Sequence, residues 1–236
     1  MSVTSTQIEL AARPVGDPKH SDFKIVKVDL PEIKEGEMLC RIIYQSLDPY
    51  MRGRMDDAKS YAVPVAIGSV MEAGCVAEVM ESKNARFQTG DVVNGRFGWR
   101  THIISDGAGV RKVNKDIAPI STSIGILGMP GMTAYVGLLD IGEPKEGETV
   151  VVSAASGAVG AVVGQIAKIK GCKVIGVAGS TEKCEYVRDE LGFDECISHY
   201  NEDLATQLSN VCPNGIDVYF ENVGGKVFEA VLPLLN

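Results

Sequence analysis

The sequence predicts an α/β protein made of an antiparallel β-barrel followed by an incomplete doubly wound parallel sheet. Two observations support this fold class. Short strand-like segments, punctuated by glycine and proline, fill about residues 5–115. From Glu148 onward, β-branched runs alternate with helical segments in the order β-α-β-α-β-α-β-α. We therefore place one domain at residues 1–125 and a second at residues 126–236.

The barrel is predicted from apolar and β-branched runs of strand length that end at turn residues. Such a pattern is typical of small antiparallel sheets that close on themselves. Four segments carry it most clearly, namely FKIVKVDLP, EMLCRIIYQSLDP, GCVAEVMES and GDVVNGRFGW.

The second half is predicted as four strand–helix units, preceded by a helix over LGMPGMTAYVGLLDIGE where the two domains join. Ser180 or Thr181 is the expected N-cap of the second of the four helices. The strands are TVVVSAA, KVIGVAG, DECISH and GIDVYFENVGG, and the helices are AVGAVVGQIAKIKG, STEKCEYVRDELG, NEDLATQLSNVCP and KVFEAVLPLLN.

Composition argues against several classes of partner. The chain of 236 residues is 45% hydrophobic and carries a formal net charge of -8, so nucleic acid and anionic membranes are not expected to bind. Its six cysteines show no C-x-x-C spacing, which is typical of a reduced, cytoplasmic protein. The first residues lack the basic and apolar regions of an export signal. The uncharged stretches 117–139 and 149–167 are interpreted as buried segments rather than membrane spans.

A glycine-rich turn follows the first strand of the second domain. It reads A-x-x-G-x-x-G at Ala154, Gly157 and Gly160, so the first glycine of the usual dinucleotide motif is replaced. Backbone N–H groups at the start of the next helix favour a bound phosphate at this place. The alternative is that the small residues serve only tight packing between the helix and the sheet.

The end of the second strand favours NADP(H) over NAD(H). Enzymes that prefer NAD usually carry a carboxylate about 20 residues after the glycines, where it binds the ribose 2′-hydroxyl. Here that position is Ser180, and Lys183 follows within one helical turn. A lysine among small residues accepts a 2′-phosphate, although Lys183 is also consistent with an ordinary exposed charge on a helix.

Several segments together resemble the medium-chain dehydrogenase/reductase family. They are SLDPYMRGRM, GMPGMTAY, SAASGAVGAVVGQIAK, GSTEKC and IDVYFENVGGKVF. The resemblance is to the zinc-free branch, which contains alkenal and enone double-bond reductases, prostaglandin reductases and bacterial curcumin reductases. It implies a GroES-like catalytic domain and a Rossmann-type NADP-binding domain, with the active site in the cleft between them.

A comparison with the zinc branch of that family predicts that this chain uses no metal. The position of the early catalytic cysteine reads Ser46-Leu47-Asp48, and the region of the G-H-E motif reads IGSVMEAG without histidine. The cluster of four cysteines is absent, and the three histidines lie far apart in the sequence.

The resemblance implies reduction of an α,β-unsaturated ketone or aldehyde by hydride transfer from NADPH to the β-carbon. A hydroxyl donor near the carbonyl oxygen would stabilise the enolate that forms. Tyr50 matches the active-site tyrosine segment of the family, and Tyr61 matches a second tyrosine that shapes the substrate pocket. Each could instead be an ordinary half-buried aromatic residue.

The resemblance also assigns residues to the cofactor. Thr133 is expected close to the nicotinamide, and Asn222 at the tip of the fourth strand, facing the cofactor. Lys183 and Tyr200 are assigned to the 2′-phosphate and adenosine end. The pyrophosphate is expected at Gly157, Ala158, Val159 and Gly160.

Some assignments stay open at this stage. Arg52 and Arg54 could hold an acidic group of the substrate, but ion pairs are the simpler expectation. Met129, Met132 and Trp99 could line an apolar pocket or belong to the core. The expected substrate is a small apolar enone, and a quinone reductase or a nucleotide-binding chain without turnover are the alternatives. Relatives continue with two more strands, so a truncated chain is expected, and a homodimer is a family expectation.

Overall fold

The computed structural model describes residues 3–236. The chain divides into two compact units, of which the first ends at Ile124 and the second runs from Gly125 to Asn236.

In its described residues, the first unit is a β-structure with one short α-helix and two 3₁₀ turns, which confirms its predicted class. A five-stranded antiparallel sheet has the order β6-β3-β4-β5-β7, and β1 pairs with β2 in a separate antiparallel ribbon. The elements are β1 (Val3–Leu10), β2 (Phe23–Leu30), β3 (Met38–Gln45), α1 (Tyr50–Arg54), β4 (Gly74–Ser82), β5 (Val92–Arg96), β6 (His102–Ser105) and β7 (Arg111–Lys112).

Helix α1 is held in place by apolar packing and by two arginines. Met51 is almost fully buried in the core of this unit. Arg13 Nη1 donates to the carbonyl of Met55 at 2.8 Å, just after the helix, and Arg52 Nη2 donates to the carbonyl of Gly16 at 2.9 Å. These bonds tie the loop that follows β1 to the helix, so the first residue of α1 has a defined place on this unit.

The second unit contains the predicted doubly wound parallel sheet. Its four parallel strands have the order β10-β9-β8-β11. Strands β9 and β10 are added on one side of β8, and β11 is added on the other side, so the strand order reverses between β8 and β11. The elements are α2 (Met129–Tyr135), which continues as a π-helical segment (Val136–Gly142), β8 (Thr149–Ser153), α3 (Gly160–Ile169), β9 (Lys173–Ala178), α4 (Thr181–Glu185), which continues as a second π-helical segment (Tyr186–Glu190), β10 (Glu195–Ser198), α5 (Leu204–Val211), β11 (Val218–Phe220) and α6 (Gly225–Val231).

The central strand β8 is buried along its whole length, which explains its uninterrupted run of valines. Helix α3 packs tightly because Gly164 presents no side chain where the ring of Phe193 lies. This close approach is of the kind that the alternative, packing interpretation of the small residues predicts, although it is made with the loop before β10 rather than with the sheet. Within residues 3–236, no helix is long and apolar enough to cross a membrane.

Candidate nucleotide site and active-site tyrosines

The turn between β8 and α3 has the conformation of a glycine motif although it starts with alanine. The predicted strand TVVVSAA ends at Ser153, two residues early, because Ala154 has a φ of 47° and turns the chain. Gly157 then donates its N–H to the carbonyl oxygen of Ala154 at 2.8 Å. Ala154 therefore adopts the left-handed backbone for which glycine is the usual residue.

The backbone approaches itself closely at both glycines of this turn, and at Gly160 this approach leaves no room for a side chain. A Cβ on Gly157 would lie 3.1 Å from the carbonyl oxygen of Ala154, and one on Gly160 would overlap that same oxygen. Since the obstacle at Gly160 is backbone rather than a side chain, no rotamer change could relieve it. Both the phosphate-binding and the packing interpretations of the motif thus have a physical basis in the structure.

The first turn of α3 presents backbone donors without partners. Among the described residues, the N–H groups of Ala158, Val159 and Gly160 meet no hydrogen-bond acceptor. Such unpaired N–H groups, together with the helix dipole, favour an anion at the start of a helix. The turn that the sequence singled out is therefore suited to hold a pyrophosphate.

The tip of β9, Gly179-Ser180, carries no carboxylate, and the nearest one, Glu182 in the first turn of α4, is hydrogen-bonded to Ser180. Ser180 is the N-cap of α4 and accepts the N–H of Lys183 at 3.4 Å. This settles the predicted choice between Ser180 and Thr181 in favour of Ser180. The side chain of Lys183 is exposed beside this cap. Within the described part of the chain, the ammonium group of Lys183 makes no ion pair.

Tyr200 lies at the same strand end, although it is distant from Lys183 in sequence. Ser198 Oγ donates to the carbonyl of Gly179, which joins the ends of β9 and β10. A Cβ placed on Gly179 would lie 3.5 Å from the Tyr200 ring, and this ring is 75% exposed. The fold therefore brings Lys183 and Tyr200 to one edge of the sheet, where the sequence could only list them separately.

Asn222 is attached to the end of β8 by two hydrogen bonds. Its backbone N–H donates to Ser153 Oγ at 2.7 Å, and its Nδ2 donates to the Ser153 carbonyl at 2.9 Å. Asn222 thus lies beside the glycine turn, at the carboxyl ends of β8 and β11. Its contact with a cofactor stays a prediction.

Sequence reasoning missed two residues of this edge, Ser153 and Glu221. Ser153 is fully buried, and its hydroxyl donates to Glu221 Oε1 at 2.9 Å. The only available signal was a serine that interrupts an apolar strand, together with a glutamate directly after another strand.

Thr133 lies in the middle of α2, and its hydroxyl is used within that helix. Its Oγ1 donates to the carbonyl of Met129 at 2.8 Å, the usual bond of a threonine to the preceding turn. Met132, one of the residues expected at a pocket or in the core, is 63% exposed on the same helix. The oxygen of Thr133 still has acceptor capacity for an amide donor.

Tyr50 is the first residue of α1 and is partly buried against the core of the first unit. Burial raises the pKa of its phenol, the carboxylates of Glu72 and Asp48 raise it further, and Arg96 partly opposes them by lowering it. The hydroxyl consequently stays protonated at neutral pH and can act as a hydrogen-bond donor.

The two arginines of α1 are engaged in ion pairs, as the simpler expectation had it. Arg52 Nη1 lies 2.6 Å from Asp56 Oδ1. Arg54 makes a two-pronged pair with Glu72, in which Nη2 lies 3.2 Å from Oε2 and Nε bonds Oε1. Glu72, which directly precedes Ala73 and β4, thus ties the helix that carries Tyr50 to the start of β4.

Tyr61 occupies a different environment from Tyr50. It is 85% exposed on the loop between α1 and Val65. The two ends of this loop are joined by a bond from the Val65 N–H to the Arg54 carbonyl at 2.8 Å. The first unit therefore carries both predicted tyrosines on one helix and the loop that follows it.

Trp99 is partly buried and packs against the core of the first unit. It packs against the buried cluster of the first unit, and its ring centroid is 5.6 Å from that of Phe23. Within residues 3–236, no cluster of histidine, cysteine, aspartate and glutamate is suited to a metal ion. Chemistry without a metal remains a prediction from the sequence.

Two family models match this chain. The first, described as the N-terminal domain of oxidoreductase, covers residues 6–113. The second, described as zinc-binding dehydrogenase, covers residues 158–236.

Individual proteins are similar over nearly the whole chain. The NADPH-dependent curcumin reductase of Escherichia coli (strain K12) is 56% identical over 96% of this chain and 66% of its own length. The 2-alkenal reductase (NADP(+)-dependent) of Nicotiana tabacum is 46% identical over 98% of this chain and 69% of its own length. This chain thus spans about two thirds of the length of these relatives.

A solved structure agrees with the fold. The crystal structure of CurA from Vibrio vulnificus in complex with NADPH superposes with a TM-score of 0.94 at 57% identity. The match covers 98% of this chain and 68% of the other.

Proposed function

Because this chain belongs to the medium-chain dehydrogenase/reductase family, we propose that it reduces the C=C bond of small α,β-unsaturated ketones and aldehydes with NADPH. The similarity to curcumin and alkenal reductases supports the substrate class. The observation that carries the proposal is the nucleotide edge of the second unit, where a glycine turn suited to a phosphate occurs together with a strand whose tip, Gly179-Ser180, is not acidic and is followed by Lys183. A cytoplasmic location and a homodimer stay predictions.

The residues of this edge fit NADPH. Because Gly157 and Gly160 carry no side chain, a ligand can approach the backbone closely. The unpaired N–H groups of residues 158–160 suit a pyrophosphate. Lys183 and Tyr200 would hold the 2′-phosphate and the adenosine at the ends of β9 and β10. We place the nicotinamide half of the cofactor on the side of β11. There the Thr133 hydroxyl would accept a hydrogen bond from the carboxamide of the nicotinamide.

NADPH, when bound, supplies the hydride for the β-carbon of the enone. The residues of the protein bind the carbonyl oxygen of the substrate and stabilise the negative charge that develops on it. We propose that the Tyr50 hydroxyl donates to this oxygen, because Tyr50 matches the active-site tyrosine segment of the family and its phenol is protonated at neutral pH. Tyr61, which is exposed on its loop, would line the apolar slot for the substrate.

The function is tested by following NADPH absorbance in the presence of a simple enone and, separately, of a quinone. We expect consumption of NADPH with the enone and saturated ketone as the product. Consumption with the quinone alone would favour the alternative activity, and binding of NADPH without turnover would contradict the reductase proposal.

Replacing Lys183 by alanine should weaken NADPH binding about tenfold and leave NADH binding unchanged, because the lost charge–phosphate contact exists only with the 2′-phosphate. Dissociation constants for both nucleotides, measured by fluorescence titration, check this result. Lys170, an exposed lysine at the opposite end of α3, provides the matched control, and Lys170→Ala should change neither constant. Equal weakening of NADPH and NADH by Lys183→Ala would contradict the assignment.

A further inference from the structure

Four hydrogen-bond donors converge on the carboxylate of Glu221, directly after β11. Oε1 accepts from Ser153 Oγ at 2.9 Å, from the Gly224 N–H at 2.8 Å and from the Val223 N–H. Oε2 accepts the hydroxyl of Tyr219. One side chain therefore satisfies both the buried hydroxyl at the end of β8 and the loop that leaves β11.

This carboxylate keeps its charge. Burial raises the pKa of Glu221, but the hydrogen bonds from Tyr219, from the Val223 and Gly224 N–H groups and from Ser153 outweigh burial and hold it below its ordinary value. The pKa of Tyr219 is raised, by burial first and then by its bond to Glu221. Tyr219 accordingly remains a donor and Glu221 an acceptor.

The network around Glu221 lies at the carboxyl ends of β8 and β11. Strands β8 and β11 are neighbours, and the strand order reverses between them. Parallel sheets of this type bind dinucleotides in the crevice at the carboxyl ends of the strands where the order reverses. The 2′-phosphate and adenosine end is assigned to β9 and β10, so the side of β11 is left for the nicotinamide half.

Ser153 relays the position of Glu221 to Asn222. The hydroxyl of Ser153 donates to Glu221 and accepts the Asn222 N–H at 2.7 Å, while the Ser153 carbonyl accepts Asn222 Nδ2 at 2.9 Å. Without Glu221, the N–H groups of Val223 and Gly224 would lose their acceptor, and the Ser153 hydroxyl would keep only the Phe220 carbonyl at 3.5 Å. The loop would then lose its anchor at Val223 and Gly224, and the Ser153 hydroxyl that accepts the Asn222 N–H would no longer be oriented by Glu221.

We propose that Glu221 is a positioning residue for the nicotinamide half of the cofactor, which acts by fixing Asn222 and the loop to Gly224 through Ser153. This inference rests on the proposed NADPH-dependent function. It predicts an effect on one half of the dinucleotide only, which a general loss of stability would not produce.

The test compares two ligands on the full chain, NADPH and 2′,5′-ADP, which carries the adenosine and the 2′-phosphate but no nicotinamide. In Glu221→Ala, the dissociation constant of NADPH should rise about tenfold, because buried donors lose their acceptor. That of 2′,5′-ADP should change less than about twofold, since no contact of its end is altered. Glu221→Gln should largely restore NADPH binding, because its amide oxygen accepts from the loop and its NH₂ donates to the Tyr219 oxygen.

Glu229, an exposed carboxylate on α6, provides the matched control, and Glu229→Ala should change neither constant. Thermal unfolding without ligand shows whether each variant is folded. If Glu221→Ala does not fold, Ser153→Ala breaks the same relay and should show the same selectivity for NADPH.

The outcomes separate this inference from the proposed function. Equal weakening of both ligands, or unchanged NADPH binding in Glu221→Ala, would overturn the role of Glu221. A wild-type chain that binds NADPH selectively through Glu221 but does not reduce enones would overturn the proposed function alone. Failure of the wild-type chain to bind NADPH would overturn both.

Discussion

Replacing Tyr50 by phenylalanine should lower turnover of an enone roughly a hundredfold and leave NADPH affinity unchanged. The phenyl ring keeps the packing of Tyr50 against the core, so only the hydroxyl is lost. Removal of one donor to a developing oxyanion typically costs on the order of a hundredfold or more in rate. Steady-state kinetics with an enone, combined with an NADPH titration, checks both parts of this expectation.

Tyr44 offers the matched control, since it is a half-exposed tyrosine on β3. Tyr44→Phe should leave the rate unchanged. The raised pKa of Tyr50 adds a second expectation, because its proton is retained and turnover should not fall between about pH 7 and 9 through loss of this donor. An unchanged rate in Tyr50→Phe would remove this residue from the mechanism.

Replacing Gly160 by alanine should lower the free energy of unfolding by about 3 kcal/mol and abolish NADPH binding. The added Cβ would overlap the carbonyl oxygen of Ala154. Relief requires movement of the turn itself, which would displace the N–H groups of the first turn of α3. Chemical denaturation of the full chain measures the free energy of unfolding, and an NADPH titration measures binding of the cofactor.

Gly179→Ala is the control for this substitution in the same unit. Its Cβ would make an ordinary contact at 3.5 Å with the Tyr200 ring, so stability should change by less than about 1 kcal/mol. Gly164→Ala should also destabilise, but there the obstacle is the ring of Phe193, and Phe193→Leu should partly rescue it. A Gly160→Ala chain as stable as wild type would show that the turn is not tightly packed.

The fold class of this chain and the order of its predicted elements could be read from local patterns, but the fourth strand, predicted over GIDVYFENVGG, is confined to Val218–Phe220 because the chain turns at Glu221. The buried valines of β8 and the small residues of α3 follow directly from hydrophobic period and residue size, and both occur as expected. Ser180 was one of two candidates for the cap of α4, and a hydrogen bond to Lys183 selects it. The end of β8 was misplaced by two residues, because no pattern indicates that an alanine takes a positive φ.

The sequence by itself determined the two-part α/β architecture and the glycine turn after β8, and it predicts that the end of β9 favours NADP(H), because each depends on residues close together in the chain. Only the tertiary structure decided that Tyr200 lies beside Gly179, that Arg54 pairs with Glu72, and that Ser153 and Glu221 share one network. Ser153 and Glu221 are 68 positions apart. A bond of that separation exists only because β11 pairs with β8, and the pairing of strands depends on the packing of the whole sheet rather than on any local signal.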